Sequence, residues 1–81
     1  MARERGVIYS VKPSRGGFSI ALQQPDERIW LVLKKEHPNY DACVATLLTA
    51  ASGRNQVLVS VNGNNEIKSF EYFPSRFNIT N

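Results

Sequence analysis

The clearest hydrophobic pattern in the chain predicts one helix near its centre. Apolar residues recur there at the three- and four-residue spacing of a single helical face, so a helix is expected over Tyr40–Ala51. Asn39 stands at the N-cap position, Asp41 adds a negative charge to the first turn, and Ser52-Gly53 offers a left-handed C-terminal residue. The predicted apolar face consists of Tyr40, Cys43, Val44, Leu47, Leu48 and Ala51.

Three strands are predicted before this helix, because apolar and polar residues alternate there at period two. The first strand is expected to turn Val7, Tyr9 and Val11 inward and its more polar row outward. Turns rich in Gly, Pro and polar residues follow at 13–17 and 24–27. The expected inner rows of the second and third strands are Phe18, Ile20 and Leu22, and Ile29, Leu31 and Leu33.

Two more strands are predicted after the helix. The fourth turns Val57, Val59 and Val61 inward, and an Asn-rich turn leads to a fifth strand over Glu66–Phe73. The fifth strand allows two inner rows, and a bulge would reconcile them. These rows are Ile67 with Phe73, and Phe70 with Tyr72.

The order of these elements predicts a mainly β fold with one helix, β-β-β-α-β-β. This is the connectivity of an OB-fold-like small barrel, in which a helix closes one end between the third and fourth strands. An open antiparallel sheet with the helix packed across it explains the same alternation. We expect one OB-like domain over residues 1–73, and an extended or frayed tail over residues 74–81 in which Phe77 and Ile79 could dock.

Composition adds little to this prediction. Ten Lys and Arg against seven Asp and Glu give a formal charge of +3, which tolerates an anionic partner without requiring one. A single cysteine excludes an internal disulfide, and its place on the apolar helix face predicts a buried side chain. The chain shows no apolar leader and no membrane span, so we expect a cytoplasmic protein, while a mature secreted domain stays open.

The residues do not suggest catalysis, a metal or a cofactor. His37 is the only histidine, and the carboxylates show no paired spacing, so general acid and base roles cannot be assigned. One His and one Cys cannot form a zinc site within one chain. His37 precedes Pro38 at the helix entrance and is interpreted as a capping or surface residue.

Four segments of the chain together resemble pertussis-like toxin B subunits and small bacterial OB-fold proteins. The similarity covers about residues 28–72 and consists of the order and apolar spacing of these segments. They are IWLVLKK (Ile29–Lys35), HPNYDA (His37–Ala42), LLTAASG (Leu47–Gly53) and VLVSV (Val57–Val61).

The resemblance implies a ring-forming OB-fold. Such B subunits assemble into pentamers through strand edges, and their outer surface binds glycans. This chain departs from them because it has no cysteine pair and no leader peptide, which puts toxin delivery in question.

The first functional hypothesis is a non-catalytic homo-oligomer that recognises a glycan or a protein. An exposed Trp flanked by hydroxyl and ammonium donors suits a pyranose ring. The candidate ligand-binding residues are Ser10, Lys12, Ser19, Trp30 and Lys34.

Two alternatives remain. One is a single-stranded nucleic-acid-binding OB-fold protein, in which aromatic rings stack on bases and cations follow the phosphates. The other is an inhibitor or immunity-type protein. The residues considered for nucleic acid are Tyr9, Phe18, Trp30, Lys12, Arg15, Arg28, Lys34 and Lys68, although Tyr9 and Phe18 belong to rows predicted to face the core.

Self-association is suggested by apolar side chains on both faces of the third and fifth strands. A neighbouring subunit would cover this surplus surface and shield unpaired backbone groups at the sheet edges. The candidate interface residues are Trp30, Val32, Ile67, Phe70, Tyr72 and Phe73.

Overall fold

The computed structural model describes residues 2–73 of the chain, and in them it has the predicted order of five strands and one helix. The predicted tail at 74–81 lies outside the described residues. The elements are β1 (Ala2–Ser14), β2 (Gly17–Gln23), β3 (Arg28–Lys34), α1 (Tyr40–Gly53), β4 (Gln56–Val61) and β5 (Ile67–Phe73).

The strands form one antiparallel sheet in the order β3-β2-β1-β4-β5. The long strand β1 serves two partners: residues 2–7 pair with β4, and residues 7–14 pair with β2. Among the described residues, a single isolated parallel bridge joins Val32 of the edge strand β3 to Glu66, the residue before the other edge strand β5. The sheet therefore curls but is not closed. The mainly β prediction is confirmed in its open-sheet form, and the preferred closed barrel is corrected.

The core lies between the inner face of this sheet and α1. The helix contacts β1 and β5, and the valine row of β4 is buried as predicted. Burial of these apolar side chains is the main favourable term in folding. The largest fully buried side chains are Ile20, Leu22, Leu31, Leu33, Leu47, Val57, Val59 and Val61.

The register of β1 differs from the prediction. The pairing with β2 shifts between Ile8 and Ser10, so Tyr9 is the extra residue of a β-bulge. Ile8 is therefore turned inward and is 5% exposed, whereas Tyr9 is 62% exposed. The predicted inner row of Val7, Tyr9 and Val11 holds only for Val11, which packs against the core. It is wrong at Val7, which lies on the opposite face from Ile8, and at Tyr9, because a bulge interrupts the alternation that the prediction assumed.

The register of β5 is settled by a second irregularity. Its pairing with β4 shifts between Ser60 and Val61, which lets both Ile67 and Phe70 reach the core. The bulge that would reconcile the two predicted rows is confirmed for these two residues. The side chains of Tyr72 and Phe73 lie outside the described residues.

The helix extends two residues beyond the predicted end. Asn39 precedes it as expected but makes no side-chain capping hydrogen bond, and its own N–H donates to His37 Nδ1 at 2.9 Å. The left-handed residue at the C-terminus is Arg54, with φ 53°, and neither Ser52 nor Gly53 has this conformation. Leu48, predicted on the apolar face, is 49% exposed.

A set of contacts between the β4–β5 turn and β3, which we call the clasp, holds the two edges of the sheet together. The Val32 N–H donates to the Asn65 carbonyl at 2.9 Å, and Asn65 Nδ2 donates to the Trp30 carbonyl at 3.3 Å. Lys34 Nζ lies 2.6 Å from Glu66 Oε2. The clasp consists of Val32, Lys34, Asn65 and Glu66. It joins β3 to the β4–β5 turn, where the bridge between Val32 and Glu66 lies.

The ion pair of the clasp shifts the pKa values of both partners. Glu66 accepts hydrogen bonds from Lys34 and from Asn62 Nδ2, and these bonds lower the pKa of Glu66 from its ordinary 4.5. The same bond to Glu66 raises the pKa of Lys34 from its ordinary 10.5. Glu66 therefore adds stability that is complete above pH 4.5 and is lost as the pH falls through its folded pKa. Lys34 adds stability that is complete below pH 10.5 and is lost as the pH rises through its folded pKa.

We expect Glu66→Gln to lower the urea midpoint at neutral pH, because it removes the negative partner of Lys34. The difference from the wild-type chain should shrink in acid, where Glu66 itself becomes protonated. Urea unfolding across an acid-to-neutral pH series measures this. Glu27→Gln, which removes an equal charge outside the clasp, is the control. Equal midpoints for wild type and Glu66→Gln at neutral pH would contradict the stabilising role.

Candidate functional site

The outer face of β1–β3, opposite α1, brings most of the predicted ligand-binding residues together. Residues paired across neighbouring strands point to the same face of a sheet. One row joins Ser10, Ala21 and Trp30, and the next joins Lys12, Ser19 and Val32. Lys34 lies two residues along β3 from Val32, on the same face. The outer face is defined here by Ser10, Lys12, Ser19, Gln23, Arg28, Trp30, Val32 and Lys34.

Trp30 is the most prominent apolar residue of this face, with 51% of its surface exposed. Ala21, its partner on β2, is small and fully buried, so Trp30 stands beside a small side chain in its row. The turn residue Asn65 approaches from the open edge of β3 and donates to the Trp30 carbonyl. Trp30 therefore lies on an edge strand, with Ala21 next to it in its row, Ser10 beyond Ala21, and the Asn-rich turn bonded to its backbone.

Tyr9 is a second exposed aromatic residue beside this face, and the sequence analysis placed it in the core. The Arg28 guanidinium carbon lies 3.6 Å from the Tyr9 ring centroid, a cation–π contact. Arg28 Nε also donates to Gln23 Oε1 at 3.0 Å. Arg28 therefore covers one side of the Tyr9 ring. No local signal in the sequence marks the bulge that exposes it.

The strand segments that form this face carry positive charges only, and Glu66 of the β4–β5 turn brings a carboxylate to Lys34 at its edge. Residues 7–14, 17–23 and 28–34 contain no Asp or Glu. The cations on the outer face are Lys12, Arg28 and Lys34, of which Arg28 contacts Tyr9 and Gln23 and Lys34 pairs with Glu66. The outer face is thus electropositive. Lys12 is the cation of this face that takes part in neither the Arg28 contacts nor the Lys34 ion pair.

The aromatic residue Phe18, considered for base stacking, is not available for that role. It is half-buried, packs against the core and stacks with Tyr40 at a centroid distance of 6.4 Å. The remaining cations of that hypothesis, Arg15 and Lys68, are exposed and lie outside β1–β3.

The candidate interface residues fall in different environments. Trp30 is exposed, and Val32 is half-buried with its N–H bonded to Asn65. Ile67 is 2% exposed and Phe70 packs against the core, so these two residues are already largely covered within the chain.

A groove, which we call the β1–α1 groove, lies between the bulged part of β1 and the second half of α1. Its volume is about 510 Å³. Its apolar walls are formed by Val7, Ile8, Val11, Leu48 and Ala51. Sequence patterns do not reveal this groove, because it arises from the bulge and from the helix end, which lie about forty residues apart in the chain.

The histidine and the cysteine have structural roles. His37 Nδ1 accepts the Asn39 N–H, so the ring carries its proton on Nε2, which lies 2.8 Å from the Lys68 carbonyl. His37 thereby ties the helix entrance to β5, in keeping with its interpretation as a capping residue. Cys43 is buried as predicted, and burial raises the pKa of its thiol.

The fold and the outer face define a small mainly β protein with a candidate ligand-binding surface. Comparison of the chain with protein families, with curated proteins and with solved structures finds no match. The resemblance to toxin B subunits stays a prediction. Within residues 2–73, no helix has the length and apolar character needed to cross a membrane.

Proposed function

We propose that the protein is a non-catalytic binding module that recognises a glycan through its outer face. The observation that carries this proposal is the half-exposed indole of Trp30 on a rigid strand. Ser10 follows in the same row, and Lys12 and Ser19 lie in the next. A pyranose ring can rest its C–H face on the indole while its hydroxyls bond to these donors.

A glycan fits the outer face better than a phosphate backbone does. Binding a nucleic acid requires several cations that can each approach a phosphate. Two of the three cations on the outer face, Arg28 and Lys34, are already held by contacts within the chain. Neutral hydroxyl donors are well represented beside Trp30, which favours a polyhydroxylated ligand.

A single-stranded nucleic acid is the second candidate, because the structure removes one objection to it. Tyr9 is exposed and contacts Arg28 of the outer face instead of belonging to the core, so this face has an aromatic ring besides Trp30 at its border. The lack of carboxylates in residues 7–14, 17–23 and 28–34 also favours an anionic polymer.

A homo-oligomer remains part of the proposal. In residues 2–73, β5 pairs only with β4 apart from the bridge to Val32, which leaves backbone groups along its outer edge for another chain. Assembly through this edge would leave Trp30 available for a ligand. This arrangement favours β5 over Trp30 as the contact between subunits.

We expect Trp30→Ala to weaken glycan binding at least about tenfold, because it removes the stacking platform. Binding to an array of immobilised glycans identifies the sugar, and titration of that sugar measures the loss. Trp30→Phe should keep part of the affinity. The far-UV spectrum should stay unchanged, because the side chain is half-exposed.

The control variant Tyr9→Ala separates the two candidate ligands. Under the glycan proposal it changes sugar binding little, whereas nucleic-acid binding would fall for both Tyr9→Ala and Trp30→Ala. Binding to a thymidine oligonucleotide would also weaken steeply as salt rises, since counterions are released. The glycan proposal fails if the wild-type chain retains no glycan, or if Trp30→Ala binds the same glycan equally well.

A further inference from the structure

The β1–α1 groove has the size and shape of a small-molecule site. Its volume of about 510 Å³ lies within the roughly 300–1,000 Å³ typical of ligand pockets. Three large hydrophobic side chains are exposed among the described residues, and two of them, Tyr9 and Leu48, line this groove. A concavity with apolar walls and a few polar groups is the usual form of a ligand site.

The groove also has a single charge. Arg54 is the only charged residue among those described as lining it, and Asp and Glu are absent from that set. Ser10 and Gln23 add neutral polar groups to the wall of β1. A ligand that matches this lining has an apolar body and one negative charge.

The backbone at Arg54 supports a role for its side chain. Arg54 has φ 53° and ψ 40°, the left-handed conformation that favours glycine, although Gly53 is its immediate neighbour. A glycine at position 54 would end the helix with less strain. Arg54 holds this strained conformation in the lining of an apolar groove, where its side chain supplies the positive charge.

We propose that the β1–α1 groove binds a small amphipathic anion. Its apolar body packs against Val11, Leu48 and Ala51, and its carboxylate or sulfonate meets the guanidinium of Arg54. The charge complementarity at Arg54 favours this occupant over a second copy of the chain. Ser10 and Gln23 belong to both this groove and the outer face, but Trp30 does not line the groove, so a Trp30 variant tests the glycan proposal and an Arg54 variant tests this one.

Two naphthalene dyes that differ by one charged group test this site. Anilinonaphthalenesulfonate carries a sulfonate, and N-phenylnaphthylamine is the neutral counterpart. We expect the folded chain to bind one molecule of the sulfonate dye in a saturable fluorescence titration. Arg54→Gly should lower the affinity for the sulfonate dye about tenfold and leave the affinity for the neutral dye unchanged, because only the charge-assisted bond is lost. Leu48→Ser should lower the affinity for both dyes.

Matched variants exclude simpler explanations. Arg54→Gly should unfold at a temperature no lower than the wild type, since it relieves the left-handed arginine. Lys35→Gln removes an equal charge outside the groove, and Trp30→Ala removes the exposed indole. Both variants should bind the sulfonate dye with the wild-type affinity.

The proposal is overturned if the wild-type chain shows no saturable binding, or if Arg54→Gly binds the sulfonate dye as well as the wild type does. Equal losses for Arg54→Gly and Lys35→Gln would also overturn it. So would light scattering that shows a dimer broken by Leu48→Ser, because a second copy would then occupy the groove.

Discussion

Gly17→Ala is expected to leave most of the chain unfolded. Gly17 has φ 144°, a conformation that residues with a side chain rarely adopt, and a β-carbon there would lie 2.0 Å from the Leu33 carbonyl oxygen. That oxygen belongs to the backbone of β3 and cannot move without breaking the β2–β3 pairing. Strain and overlap together cost more than about 3 kcal/mol, a large part of the stability of a domain this small.

The neighbouring glycine gives a matched control. A β-carbon at Gly16 would meet no atom within 4 Å, so Gly16→Ala should change the free energy of unfolding by less than about 1 kcal/mol. Far-UV circular dichroism and urea unfolding of the two variants measure the difference. If Gly17→Ala unfolds at the wild-type urea concentration, the close approach of β2 and β3 at this turn is incorrect.

Leu47→Ala is expected to destabilise the protein by about 2–5 kcal/mol, because it leaves a cavity in the core. Leu47 is fully buried between α1 and the sheet, where it packs with Cys43 and Ala50 of the same helix face in the core cluster. Urea unfolding followed by the fluorescence of Trp30 measures the loss. A domain of this size has little stability to spare.

The adjacent leucine is the control for this prediction. Leu48 is 49% exposed, so Leu48→Ala removes less buried surface and should cost less than about 1 kcal/mol. Similar losses for Leu47→Ala and Leu48→Ala would show that the helix is rotated relative to the sheet. The pair therefore tests the orientation of α1 as well as the size of the core.

The orientation of α1 shows how far a periodic pattern reaches. The spacing of apolar residues predicted the helix and most of its buried face, including Cys43 and Leu47. The same spacing predicted that Leu48 is buried. The apolar face of the helix is wider than the part that packs on the sheet, and the spacing does not show which side of that face stays exposed. The groove that Leu48 lines could not be predicted for this reason.

The outer face was predicted in part. Alternation in the third strand indicated that Trp30 and Lys34 face away from the core, and pairing across β1–β3 brings Ser10, Lys12 and Ser19 to the same face. Tyr9 was misplaced, because one extra residue in β1 shifts the alternation, so the residues before the bulge face the side opposite to the predicted one. Alternation alone carries no information about such an insertion.

The order of the elements, the helix and the inner rows of β3 and β4 could be predicted, because they depend on side-chain periodicity within short segments. The bulge at Tyr9, the clasp between β3 and the β4–β5 turn, and the left-handed Arg54 in the groove lining emerge only in the folded chain. These features depend on how segments distant in the chain pair and pack, and local spacing does not encode that.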